Sequence, residues 1–262
     1  MSVNIEWVAL SCLRIWREGG PVIVTDPFYP PVVGLLGEEA RIASHDATEL
    51  FESTGVAPTE NGQTIEGDVV ITSSGNDMAH GYPKFVRGKP RVIDALKVNQ
   101  QGIEVEVDGG PLITVKTSEG PGHLNGLLKF EPPTDNAVYA FQVGGLWILH
   151  LGDVGHGLGV EQLAPFVGHC DVLLPPVGQT NTISLQDLDF VIYHLEPRWI
   201  IPVHYKLPPV ATILQPIDDF LVHRAADTLL YTRTSTVTLP LELPETGRPT
   251  TIVLDPSSYE PT

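Results

Sequence analysis

The segment Leu146-Trp-Ile-Leu-His-Leu-Gly-Asp-Val-Gly-His156 constrains this chain more than any other. Its apolar run, Leu146 to Leu151, has the length and bulk of a buried strand, and it stops at Gly152 and a carboxylate, Asp153. Burying an unpaired carboxylate costs roughly several kcal/mol, so a strand that delivers one needs a cation, a donor cluster or water beside it. Asp153 therefore reads either as the cap of a following helix or as part of a charged site. A second stretch, Arg198 to Tyr205, is another short apolar strand, and it ends in His204. Two strands that each end in a metal-ligating residue type point to one shared site at one margin of a sheet.

Three pieces carry a family resemblance: Phe141-Gln-Val-Gly-Gly-Leu-Trp-Ile-Leu-His-Leu-Gly-Asp-Val-Gly-His156, Asp171-Val-Leu-Leu-Pro-Pro-Val-Gly178 and Pro197-Arg-Trp-Ile-Ile-Pro-Val-His204. In order and spacing they resemble the metallo-β-lactamase superfamily, and within it the branch of L-ascorbate-6-phosphate lactonase and related metal-dependent hydrolases. The resemblance implies an α/β (α+β) fold, the four-layer αββα sandwich, with residues 1–262 as a single domain. The first half of the chain departs from the family pattern. The strand Asp68 to Thr72 runs into Ser73-Ser-Gly-Asn-Asp-Met-Ala-His80, where the superfamily has His-x-His-x-Asp-His. Ser74 and Asn76 stand at the leading histidines, and Met78 and Ala79 at the final pair. One extra loop residue would put His80 at the last histidine, with Asp77 three residues before it and on the same helical face. The Gly-His-Ser or Gly-His-Ala of the family's first hairpin is here Ala9, Leu10 and Ser11.

Carried over residue by residue, the resemblance implies metal ligands at Asp77, His80, His123, Asp153 and His204. His123 ends the Gly-rich loop Thr117 to His123 at the place of the family's middle histidine. Asp77 would orient or deprotonate a water, and His123 or His156 would stabilise a developing oxyanion. His156 reads equally as a pocket-lining residue or as the start of a helix. Ser74, Asn76 and His156 are the candidate substrate contacts. With the leading histidines gone, one metal is expected, zinc first, with manganese or iron also suited to imidazole and carboxylate donors. The implied activity is hydrolysis of a small ester, lactone or phosphate ester by metal-activated water. The alternative is a metal-free, inactive member that serves as a binding or regulatory protein. Ser44-His45-Asp46 lacks a preceding strand, so His45 reads as a surface residue, and His150 as a core or inter-sheet histidine.

The formal net charge is -17, from 15 basic and 32 acidic residues. This argues against nucleic-acid and anionic-membrane partners, and with them a ribonuclease of the same superfamily. A small-molecule substrate is expected, and a homo-oligomer is compatible with the sequence. Cys12 and Cys170 read as buried free thiols, and the chain as soluble and cytoplasmic.

Strands are expected over Val3–Ala9, Ser11–Trp16, Pro21–Thr25 and Asp68–Thr72, then over 93–98, 102–107 and 112–116 as parts of a second sheet. Asn136–Val143 and Leu146–Leu151 should pair as a hairpin around Gly144-Gly145. Asp171–Leu174 and Trp199–Val203 read as core strands, and 234–243 and 250–253 as edge strands. Helices are expected near Ala47–Thr54, Val160–Phe166, Ser184–Leu195 and Ile217–Ala225, the third on the stripe Leu185, Leu188, Val191, Ile192 and Leu195.

Overall fold

The computed structural model describes residues 1–28, 65–75, 80–120, 135–206, 214–242 and 247–257. The expected helix near Ala47–Thr54, and His45 with it, lie outside the described residues. The chain opens with strands β1 (Val3–Ala9), β2 (Cys12–Arg17) and β3 (Ile23–Thr25), then β4 (Ile65–Glu66), β5 (Val69–Thr72), β6 (Val86–Arg87) and β7 (Arg91–Asp94). Helix α1 (Ala95–Gln101) leads to β8 (Glu106–Val107), β9 (Gly110–Pro111) and β10 (Ile113–Ser118), followed by β11 (Asp135–Val143) and β12 (Leu146–His150). The rest is α2 (Val160–Leu163), β13 (Val172–Leu174), α3 (Leu185–Leu195), β14 (Trp199–Ile200), α4 (Asp218–His223), β15 (Thr228–Tyr231), β16 (Thr236–Leu239) and β17 (Thr250–Val253).

Two large sheets dominate, one in the order β16-β1-β2-β3-β5-β7, the other β10-β11-β12-β13-β14-β17-β15. Val3, Ile5 and Trp7 of β1, with Ile23 and Ile71, join Phe141, Ile148, Leu149 and Leu173 of the second sheet in one apolar cluster. The alternate residues Val24 and Val70 turn to a second cluster, with Val8, Phe28, Phe85 and Leu214. The period of two thus places apolar side chains on both faces of the first sheet. In the second sheet β12, β13, β14 and β17 run parallel, and α2 and α3 supply the connections that parallel neighbours require. Helix α3 is capped by Ser184, whose side chain accepts from the Asp187 amide, and it buries Leu188, Val191, Ile192 and Leu195. It stops at Glu196 in a left-handed conformation, φ 50, ahead of Pro197.

Several expectations change. Residues 95–98 are helical: Asp94 accepts the Lys97 amide and starts α1, so a four-residue strand gives way to a capped helix. The strand before it, β7, belongs to the first sheet, and β8 and β9 form a separate small ribbon; only β10 joins the second sheet. Strand β14 is shorter than expected, although Val203 still bridges to Pro176. The strand at 250–253 is interior, fully buried between β14 and β15, because the unpredicted β15 covers its outer side. No helix among the described residues is long and apolar enough to cross a membrane.

The loops at the carboxyl ends of β12 and β10 touch backbone to backbone. Gly155 donates its amide to Ser118 O at 3.0 Å, Gly120 donates to Asn181 O at 2.8 Å, and a Cβ on Gly155 would collide with the Gly120 backbone. Gly155→Ala is therefore expected to cost about 1–3 kcal/mol by overpacking. At about 2–4 °C per kcal/mol, thermal unfolding should shift down by several degrees. Both cysteines are free and buried, and burial pushes both thiols up, Cys12 also through Asp26 and Cys170 through Asp171. At pH 8 the native protein should react only marginally with Ellman's reagent, and both thiols should appear on denaturation.

Candidate metal centre

Three side chains meet where the carboxyl ends of β12 and β14 approach the segment that follows β5. Asp153 sits on a turn whose backbone is held by buried side chains. Asn136, fully buried at the start of β11, accepts the Asp153 amide on Oδ1 at 3.0 Å and donates Nδ2 to Leu151 O at 3.2 Å and Thr117 Oγ1 at 2.8 Å. The Gly152 amide donates to His150 Nδ1 at 2.8 Å. Gly152 has φ 58, and a Cβ there would meet Asn136 Oδ1 and stand 2.6 Å from Ser73 Cβ, so glycine is required on both counts. His204 also has a positive φ, 53, rare for a residue with a side chain, and donates its amide to Leu10 O at 3.0 Å. Close approach is possible because residue 178 is glycine, whose absent Cβ would strike the His204 carbonyl. His80 follows β5, its ring centroid 5.2 Å from that of His204.

His80, Asp153 and His204 offer ligand atoms that all lie within 4.8 Å of one another. Asp153 Oδ2 is 3.8 Å from His80 Nε2, and Oδ1 is 3.6 Å from His204 Nδ1. These separations are too long for hydrogen bonds and close to the ~3.4 Å between two donors that share a tetrahedral zinc ion at about 2.1 Å each. All three are nearly closed to solvent, at 3, 8 and 7 % exposure. Asp153 Oδ1 has no hydrogen-bond partner among the described residues. A buried carboxylate oxygen in that state, flanked by two imidazoles, fits a divalent cation, and the donor set suits zinc, iron or manganese.

Behind this group lies a second buried polar cluster. Asp26, at the end of β3 with φ 38, accepts the Ser73 amide at 2.6 Å, the Ser73 hydroxyl at 2.8 Å and the Tyr139 hydroxyl at 3.4 Å. Burial raises its carboxyl above the usual range, while His150, His80 and the Ser73 bonds pull the other way. Burial lowers the His150 imidazole, against Asp26, which favours its charged form. Tyr139 is pushed well up, first by burial and then by Asp26.

The inter-sheet position expected for His150 is found: its ring stacks on Tyr139 at 5.1 Å and reaches Ser11 O in the first sheet at 3.0 Å. Among the expected site residues, the structure brings together His80, Asp153 and His204, while Asn76, Asp77 and His123 lie outside the described residues. His156 has Nε2 accepting from the Ser118 amide at 3.3 Å and Nδ1 at 2.9 Å from Gly157 O. Both ring nitrogens are thus engaged by backbone, and His156 ties two loops together. Ser74, expected to contact substrate, is 1 % exposed, its hydroxyl without a hydrogen-bond partner among the described residues. In the sequence Asn136 reads only as the first residue of a strand and Asp26 only as part of the Asp-Pro pair that closes one, with no role at the site. The available signal was a polar residue at each end of an otherwise apolar strand, which also marks an ordinary turn.

Other proteins share the sequence pattern and the fold. Residues 4–204 match the family described as the beta-lactamase superfamily domain. A UPF0173 metal-dependent hydrolase of Natranaerobius thermophilus is 23% identical over 224 residues, covering 83% of this chain and 88% of that protein. One from Pyrococcus furiosus is 34% identical over 74 residues, 28% of this chain and 33% of that protein, so the match spans about a third of the relative's length. Among solved structures, a metallo-β-lactamase superfamily protein of Thermotoga maritima, whose name proposes a zinc-dependent hydrolase, superposes with TM-score 0.61 at 26% identity, covering 96% of this chain and 98% of its own. With the family model matched over residues 4–204 and the fold shared along nearly the whole chain, this protein belongs to the beta-lactamase superfamily.

Proposed function

We propose that the chain is a metal-dependent hydrolase that acts on a small ester, lactone or phosphate ester and works with one metal, zinc first, with manganese or iron as alternatives. The observation that carries this reading is the meeting of His80, Asp153 and His204, from three separate segments, within 4.8 Å. Their relatives' names, metal-dependent hydrolase and zinc-dependent hydrolase, support it. A cation held there supplies Lewis acidity: it lowers the pKa of water toward neutrality and polarises a carbonyl or phosphoryl group. His80, Asp153 and His204 hold it in a nearly dry setting, where charge–charge and charge–dipole forces are stronger than in water. Asp77 is proposed to take the proton from the attacking water and His123 to complete the ligand set or face the oxyanion. The substrate is a small molecule and the cytoplasm is the proposed compartment.

Elemental analysis of protein purified without added metal or chelator should find about one equivalent of transition metal per chain. Asp153→Ala and His204→Ala should each lower affinity for zinc by more than about 100-fold in competition titrations, because each removes a direct ligand. Chelation should abolish hydrolysis of p-nitrophenyl esters, lactones or phosphodiesters, and zinc or manganese should restore it. Failure of the folded chain to take up zinc, manganese or iron would instead favour the metal-free binding protein.

A further inference from the structure

We propose that His150 is a positioning residue: a neutral imidazole that ties the Asp153 turn to the His204 turn through the Leu10-Ser11 hairpin. The inference rests on the reading of His80, Asp153 and His204 as a metal site and extends it to the groups that set the spacing. Hydrogen-bond partners decide the tautomer. Gly152 N–H can only donate, and it does so to Nδ1 at 2.8 Å, so Nδ1 carries a lone pair. Ser11 O can only accept, and it lies 3.0 Å from Nε2, so the proton is on Nε2. The ring is fully buried and stacked on Tyr139 with 2° between planes, which holds its rotation.

From each end of this ring the next bond leads to a ligand. Gly152 adjoins Asp153. Ser11 adjoins Leu10, whose carbonyl accepts the His204 amide at 3.0 Å and the Trp7 indole N–H at 2.9 Å. The route Asp153, Gly152, His150, Ser11, Leu10, His204 thus crosses from the second sheet to the first and back. Three of its members, Leu10, Gly152 and His204, have positive φ values of 47, 58 and 53. Two of these are not glycine, a conformation that persists where surrounding bonds over-determine it. The hairpin that lacks a histidine at Leu10 serves through its backbone, and His150 fills the space between the sheets.

His150→Asn keeps an acceptor near the Nδ1 position but loses the donor to Ser11; His150→Gln keeps a donor near Nε2 but loses the acceptor for Gly152. Both full-length variants should fold, by circular dichroism and thermal unfolding, yet bind Co(II) about 10–100-fold more weakly, with an altered ligand-field spectrum. In the metal-free, 15N-labelled wild type, His150 should show the Nε2–H tautomer, and both variants should shift the amide resonances of Gly152 and His204. An Nδ1–H tautomer overturns the brace whatever the metal result. So do wild-type cobalt affinity and unmoved His204 amides in both variants. Wild-type protein that binds no cobalt brings down the metal reading alone; the tautomer and the His204 shifts then decide the brace. The wild-type tautomer decides it as well if neither variant folds.

Discussion

The inner ends of the two sheets are joined by buried polar groups whose hydrogen bonds must all be made at once. Asp26 of the first sheet accepts from Tyr139 of the second, His150 of the second reaches Ser11 of the first, and within the second sheet Asn136 grips the Leu151–Asp153 turn. An orphaned donor or acceptor in this setting costs about 1–3 kcal/mol, so a register slip of either sheet would break several bonds together. Apolar packing holds the sheets against each other, but it is tolerant of small shifts. The polar links are directional, and they select one alignment.

That alignment decides the site. Asp153 follows β12 of the second sheet, His204 follows β14, two places along, and His80 lies in the chain that follows the first sheet's β5. None of the three is near another in sequence. Their ligand atoms converge because the strand ends are level, in the region where open sheets of this kind present ligands. Backbone strain helps: Leu10, Asp26 and His204 all adopt positive φ where the chain must turn sharply to aim a carbonyl, a carboxylate or an imidazole inward. Glycines at 152, 155 and 178 remove the Cβ atoms that would block these approaches.

Ser74 and Asn76 stand where the sequence resemblance implies leading histidines. Ser74 is buried, and among the described residues the ligand atoms of His80, Asp153 and His204 converge on one place. Two imidazoles and a carboxylate are enough ligands for one cation and leave coordination positions for water and substrate. Asp26, bonded to Ser73 and Tyr139, is close enough to this group for the His80 imidazole to favour its charged form.

Much of this architecture was legible in the residues themselves. The apolar run before Asp153, the Gly144-Gly145 hairpin and the stripe of α3 are local patterns whose period and turn chemistry leave few alternatives. Local pattern failed at 95–98, where an N-cap at Asp94 starts a helix on Ala95, Leu96 and Lys97, and at 250–253, where apolarity could not say which side a neighbour would cover. Asp153 and His204 were recognisable as strand-end ligands because charge after an apolar run is conspicuous in one dimension. Their distance from His80, the tautomer of His150 and the grip of Asn136 on the Asp153 turn depend on contacts between strands far apart in the chain. Sequence determines which side chains sit at strand ends; only the packing of one sheet on the other decides which ends meet, because hydrogen bonds and ligand bonds act over a few ångströms and carry no memory of chain order.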